Sequence, residues 1–186
     1  MVTQAKPITT EAFEQFVKQP QNAGRRFALV NGEIVEKMPT QLHALIASLL
    51  IGLFIQYRQS HPFVWVFSEV RIKLSDDETN DRIPDVAVVL REGRTIDLNK
   101  PLSFVPDFVT EIQSPGQSDK YMSETGDYYL ANGAKLVWLI YPRKRLVEVR
   151  TLDDRQLLND DDLLDAGSIL PGFQITVNQM FDAALE

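Results

Sequence analysis

The clearest regularity along the chain is a helical stripe. Leu42, Leu45, Ile46, Leu49, Leu50, Leu53, Phe54 and Tyr57 follow i, i+3, i+4, i+7 spacing without a gap. Pro39-Thr40 opens this segment and Ser60-His61-Pro62 closes it, so a long core-facing helix is predicted. A shorter amphipathic helix is expected from Thr9-Thr10-Glu11 to about Lys18, with Phe13, Phe16 and Val17 on one face. Period-two patterns mark strands instead. Arg26 to Val30 and Glu33 to Met38 flank Asn31-Gly32, a strong hairpin signal. Val64 to Leu74 alternates as one long strand. Asp85 to Leu90 is almost wholly apolar, as in a strand covered on both faces. Phe104 to Gln113 reads as the next strand, interrupted by Pro106. A helix from about Asp119 to Leu130 ends at Asn132-Gly133. Leu136 to Tyr141 and Leu146 to Arg150 then pair across the basic turn Pro142-Arg143-Lys144-Arg145, and Gly172 to Val177 offers a last strand before a terminal helical turn.

This order predicts an α+β fold: a mixed sheet with one long helix packed on it and an N-terminal hairpin. At 186 residues the chain is expected to form a single domain over 1–186, without repeat or linker.

Composition narrows the chemistry. There is no cysteine, which excludes disulfides and thiolate zinc sites. With His43 and His61 as its two histidines, one chain cannot build a three-histidine metal site. Met1 to Thr10 is polar rather than leader-like, and the apolar run Ala44 to Ile55 is short for a bilayer, so a cytoplasmic protein with no membrane partner is expected. The formal charge of -7 argues mildly against nucleic acid. Its distribution weakens that objection. Residues 151–186 carry eight acids and one base, leaving 18 of each in residues 1–150. The acidic run itself is expected to be a solvated loop. Phosphate-binding glycine loops, a nucleophile elbow and a dinucleotide fingerprint are all missing from the sequence.

Asp85 opens a buried strand, and Glu111 stands near the end of the next with Gln113 on the same face. Carboxylates at neighbouring strand ends repel unless a cation lies between them. Mg²⁺ suits such a place, taking one or two carboxylates, a carbonyl such as that of Ile112, and waters. A metal so held can activate water against a phosphodiester. Taken singly, each acid reads more simply as structural, Asp85 as a strand cap and Glu111 as a solvated strand end; it is the pair, in Pro-Asp…Glu-x-Gln order, that points to a site.

The run Arg82-Ile83-Pro84-Asp85-Val86-Ala87-Val88-Val89 resembles the first signature of the PD-(D/E)XK nuclease superfamily. Pro106-Asp107-Phe108-Val109-Thr110-Glu111-Ile112-Gln113-Ser114-Pro115 is similar to its Uma-two branch. So are Asn31-Gly32-Glu33 with His43, Tyr129 to Gly133 before Trp138-Leu139-Ile140, and Leu170-Pro171-Gly172-Phe173. The resemblance covers nearly the whole chain. It implies a restriction-endonuclease-like core, Mg²⁺ (with Mn²⁺ as a substitute), DNA as substrate and a homodimer.

The sequence departs from that pattern at one telling place. Gln113 stands where the superfamily has lysine, and an amide carries no charge to stabilise a phosphorane. Lys120, the one lysine between Pro101 and Ala134, is a candidate replacement, and a solvated surface lysine is an equally good reading. Thr125 and Tyr141 stand where the branch often has a further lysine and an aspartate. His43, off the apolar stripe, is a candidate contact for phosphate or an activated water, or else a half-exposed helix-start histidine. Glu33 and Glu69 form a second rank of carboxylates. Arg25, Arg26 and Arg143-Lys144-Arg145 could meet phosphates but read more simply as solubilising charges, and Trp138 reads as core. Asp85, Glu111, Gln113, Lys120 and His43 are therefore the expected catalytic set of a Mg²⁺-dependent DNA endonuclease, with Asp85, Glu111 and Ile112 on the metal. The alternatives are a degenerate nuclease fold serving as a binding or assembly module, and hydrolysis of another phosphate ester.

Overall fold

The computed structural model describes residues 6–91 and 93–185. The first five residues of the polar N-terminal stretch, and the terminal acid Glu186, lie outside the described residues. The chain forms two compact units.

The smaller unit contains the described residues 6–38, 71–83 and 97–104. Its helix α1 (Thr10–Val17) starts at Thr9, whose side chain accepts the Ala12 amide. β1 (Phe27–Val30) and β2 (Glu33–Glu36) form the expected antiparallel hairpin. Its turn residues Asn31 and Gly32 have φ of 51° and 78°, the left-handed pair a two-residue turn requires. Phe13, Phe27 and Leu29 form a small buried core. Ile72 bridges both Arg82 and Leu102. Arg71 is paired with the fully buried Asp81, and Lys73 lies 2.5 Å from Glu14. Lys37 donates to the Ile83 carbonyl.

The larger unit contains the described residues of 39–70, 84–96 and 105–185. Its sheet runs β3 (Val64–Ser68), β4 (Val86–Leu90), β5 (Phe108–Ile112), β6 (Leu136–Tyr141), β7 (Leu146–Arg150) and β8 (Arg155–Asn159), in that order. All neighbours are antiparallel except β5 and β6, which are parallel and joined through α3 (Asp119–Ala131). The sheet is therefore mixed, as expected. α2 (Gln41–Ser60) covers one face together with α4 (Val177–Ala183). Ile46, Leu50 and Phe54 of α2 are wholly buried against Val86, Val88, Phe108, Trp138 and Ile140. The rings of Phe54, Phe108 and Trp138 sit 4.9 to 6.4 Å apart, near the best edge-to-face spacing. Truncating Phe54 to alanine would cost about 3–5 kcal/mol by leaving a hole in this cluster. By length and composition α2 could cross a membrane, yet its most buried stripe is packed on the sheet as in a core helix. The intervening positions Ala87, Val89, Val109, Val137 and Leu139 are also buried, because α3 covers the second face.

Four expectations need correction. The long strand over 64–74 stops at Ser68, because Glu69 turns left-handed with φ 49° and Ile72 pairs in the smaller unit instead. The strand expected from Phe104 starts at Phe108, after Pro106. The acidic stretch is not a plain loop: it holds β8 and β9 (Leu163–Asp165), the latter paired with β10 (Gln174–Thr176). Leu45 was placed on the core stripe but is 47% exposed, whereas His43, expected off it, is 7% exposed.

Candidate functional site

Pro84-Asp85 leads into β4, which begins at Val86. Val86 pairs with Thr110, so the same register carried one residue further sets Asp85 across from Glu111. Asp85 is 3% exposed. Its Oδ2 accepts the Ile112 amide at 2.8 Å, so the side chain takes the place of a backbone carbonyl at the end of the ladder. Its own carbonyl accepts the Glu69 amide at 3.2 Å.

His43 reaches Asp85 from the first turn of α2. Thr40 caps that helix and accepts the His43 amide at 3.2 Å, which sets the histidine's backbone. The ring then lies between two groups: Nε2 is 3.3 Å from Asp85 Oδ1, and Nδ1 is 3.3 Å from Ser114 Oγ. A carboxylate only accepts, so the proton belongs on Nε2, and in the neutral ring Nδ1 accepts from the serine hydroxyl. The result is a continuous Ser114–His43–Asp85 chain.

Glu111 faces the other helix. Buried Tyr129 of α3 donates its hydroxyl to Glu111 Oε1 at 2.7 Å. Gln113 Nε2 donates to the Gln117 carbonyl at 3.0 Å and to Asp119 Oδ1 at 3.1 Å, tying the end of β5 to the start of α3. Ser118 caps α3 by accepting the Tyr121 amide. Lys144 lies 2.5 Å from Asp119 Oδ2. That ammonium, and after it the Gln113 amide, holds the Asp119 carboxyl below the ordinary aspartate range.

The expected site residues thus separate. Asp85, His43 and the Ile112 backbone come together at one end of the β4–β5 pair, whereas Glu111 is held by Tyr129 of α3. Gln113 is turned to the α3 start. Lys120 is not brought in: its side chain is 83% exposed and pairs with Glu124 one helical turn on, at 3.5 Å. Glu69 enters through its backbone bond to Asp85, and Glu33 is exposed on β2 of the smaller unit. Trp138 is fully buried, as expected of a core residue. Tyr129 and Ser114 were missed as site residues. No spacing rule marks them, since each joins the site through a partner distant in sequence.

Among the described residues, no group of three or more acids, histidines or cysteines could together hold a metal ion. Two carboxylates and a strand-end carbonyl would fit only an ion that keeps several waters, as Mg²⁺ does. They would not fit an ion that needs a full protein cage.

The model of a family described as "Uma2: Putative restriction endonuclease" matches residues 13–178. Among solved structures, the chain resembles "a putative nuclease belonging to DUF820" from Anabaena variabilis, with a TM-score of 0.79 and 22% identity over 96% of this chain and 99% of that one. At that identity the likeness speaks for the fold. No curated protein matches.

Proposed function

The chain belongs to the Uma2 family, and from that premise we propose that it is a Mg²⁺-dependent DNA endonuclease. The observation that carries this reading is the Val86–Thr110 register, which carried one residue further sets buried Asp85 across from Glu111, with Asp85 oriented by the Ile112 amide and His43, and Glu111 by Tyr129. Asp85, Glu111 and the Ile112 carbonyl would hold the ion, with Mn²⁺ as a substitute. Bound there, the ion would supply charge for the phosphate and acidify a water. The chain's own part is orientation. Ile112 N–H fixes Asp85, Tyr129 fixes Glu111, and His43 stands where its ring can pass a proton between Ser114 and the carboxylate edge. A homodimer would offer one such set to each strand of a duplex.

Supercoiled plasmid with Mg²⁺ or Mn²⁺ tests the proposal. Nicking is expected from the parent protein and is expected to vanish in both Asp85→Ala and Glu111→Ala. Nicking that persists in either variant would refute it.

One observation favours a second reading, a binding module on the same fold. Gln113 is held away by Gln117 and Asp119, and Lys120 points to solvent. Tight DNA binding without nicking under any divalent metal would select that reading.

A further inference from the structure

A cavity of about 260 Å³ lies beside Gln113 and Ser114. Its walls are apolar and stiff: Leu42 of α2, Pro115 and Pro142. Pro115 is held by a tight turn in which the Gln117 amide donates to the Ser114 carbonyl at 3.1 Å and Gly116 takes φ 92°, the conformation a Pro-Gly turn requires. Pro142 begins the short helical turn after β6.

The polar groups of this cavity are arranged with two gaps. Gln113 uses its Nε2 on the Gln117 carbonyl and Asp119, and Gln117 uses its Oε1 on the Ser114 amide at 2.7 Å. Both amide planes are therefore fixed. Gln113 Oε1 and Gln117 Nε2 have no protein partner among the described residues. An acceptor and a donor remain at the wall of one cavity, which is what the edge of a nucleobase recognises.

The charge at the rim is selective in the same way. Of the three bases in the turn after β6, Lys144 is paired with Asp119 at 2.5 Å and Arg145 with Asp182 at 2.8 Å. Arg143 is exposed at the cavity and makes no ion pair among the described residues.

We propose that this cavity takes one nucleotide, its base lifted out of the stack between Leu42 and the two prolines and its phosphate against Arg143. The volume lies just under the about 300–1,000 Å³ of drug-sized sites, which suits one ring system rather than a stacked pair. Lifting a base from a duplex costs a few kcal/mol and least where the strand is already open or mispaired. The cavity adjoins the Ser114 end of the His43–Asp85 chain, so this deepens the nuclease reading and rests on it for the substrate: single-stranded or locally opened DNA.

The test uses the whole chain without divalent metal. A deoxynucleoside monophosphate is titrated into it and followed by amide chemical shifts, with inorganic phosphate as a second titrant. Saturable nucleotide binding at least about tenfold tighter than phosphate is expected, weakened about tenfold by Gln117→Ala and by Arg143→Ala. Equal affinity for phosphate, or both variants binding like the parent, would overturn the cavity proposal. A third arm uses a duplex carrying 2-aminopurine, whose fluorescence is expected to rise on binding. Mononucleotide binding without that rise would overturn a DNA strand as the source. Nicking without nucleotide binding overturns the cavity proposal alone. Nucleotide binding without nicking overturns the nuclease reading alone.

Discussion

The β4–β5 pair carries a buried Pro-Asp at each end, and the two ends are built alike up to a point. Asp85 precedes β4 and accepts the amide of Ile112, the last residue of β5. Asp107 precedes β5 and accepts the amide of Leu90, the last residue of β4, at 2.9 Å. Each carboxylate thus stands in for a missing carbonyl at the end of the same ladder. Beyond that bond the ends diverge. Asp107 is fully buried, gripped by both terminal nitrogens of Arg94 at 2.7 and 3.1 Å, and faces Lys135 at 3.1 Å. Asp85 faces an imidazole instead, and Glu111, one residue beyond the last position of β5 that pairs with β4, is held by the Tyr129 hydroxyl. One end answers buried negative charge with fixed positive charge. The other meets its buried carboxylate with an imidazole, and it is the end where the proposed ion would sit. Identical dipeptides in one ladder therefore take different surroundings, and what decides is which side chains meet them.

The sharpest way to break this contrast is to neutralise one end at a time. Asp85→Asn and Glu111→Gln should each lower nicking by more than about a hundredfold, since each removes charge aimed at the reacting phosphate's counter-ion. Asp85→Asn should cost at most about 1 kcal/mol in urea unfolding, because the asparagine oxygen still accepts the Ile112 amide. Asp107→Asn should do the reverse. It strands Arg94 and Lys135 and should cost roughly 2–3 kcal/mol, their partial exposure softening the loss, with nicking kept in the folded fraction. Nicking lost on Asp107→Asn but kept on Asp85→Asn would exchange the two roles.

A smaller effect is expected from Tyr129→Phe. It deletes the bond that orients Glu111 and should reduce nicking about tenfold with little change in substrate affinity. A drop in affinity alone would show that Tyr129 does not act through Glu111. The smallest effect concerns the clamp on Gln113. The Asp119 carboxyl is held low by Lys144, so its bond to Gln113 persists until the pH falls through that lowered value. Lys144→Ala should raise the Asp119 titration toward the ordinary aspartate range, visible by carboxyl ¹³C shifts. An unmoved titration would mean that the ammonium is not what holds it.

The contrast between the two ends also shows what the sequence could tell. The hairpin at Asn31-Gly32, the α2 stripe and the buried β6 follow from local rules, and they were legible. That Asp85 leads into one strand and Glu111 stands near the end of the next was legible, because the two apolar runs mark those strands. The role of Asp107 was not, since Arg94 and Lys135 meet it from other segments, and neither was that of Tyr129 or Ser114. Period-two alternation ran straight through Glu69, where a left-handed residue ends the strand. The acidic segment hid β8 and β9 because edge strands tolerate exposed charge, and charge alone had suggested a loop.

Calorimetric titration of Mn²⁺ into the parent protein and three variants tests the central claim most directly. Asp85 and Glu111 acting together should bind one ion per chain, with binding lost in Asp85→Asn and in Glu111→Gln and kept in Asp107→Asn. No ion bound by the parent, or an ion bound equally by all three variants, would contradict it.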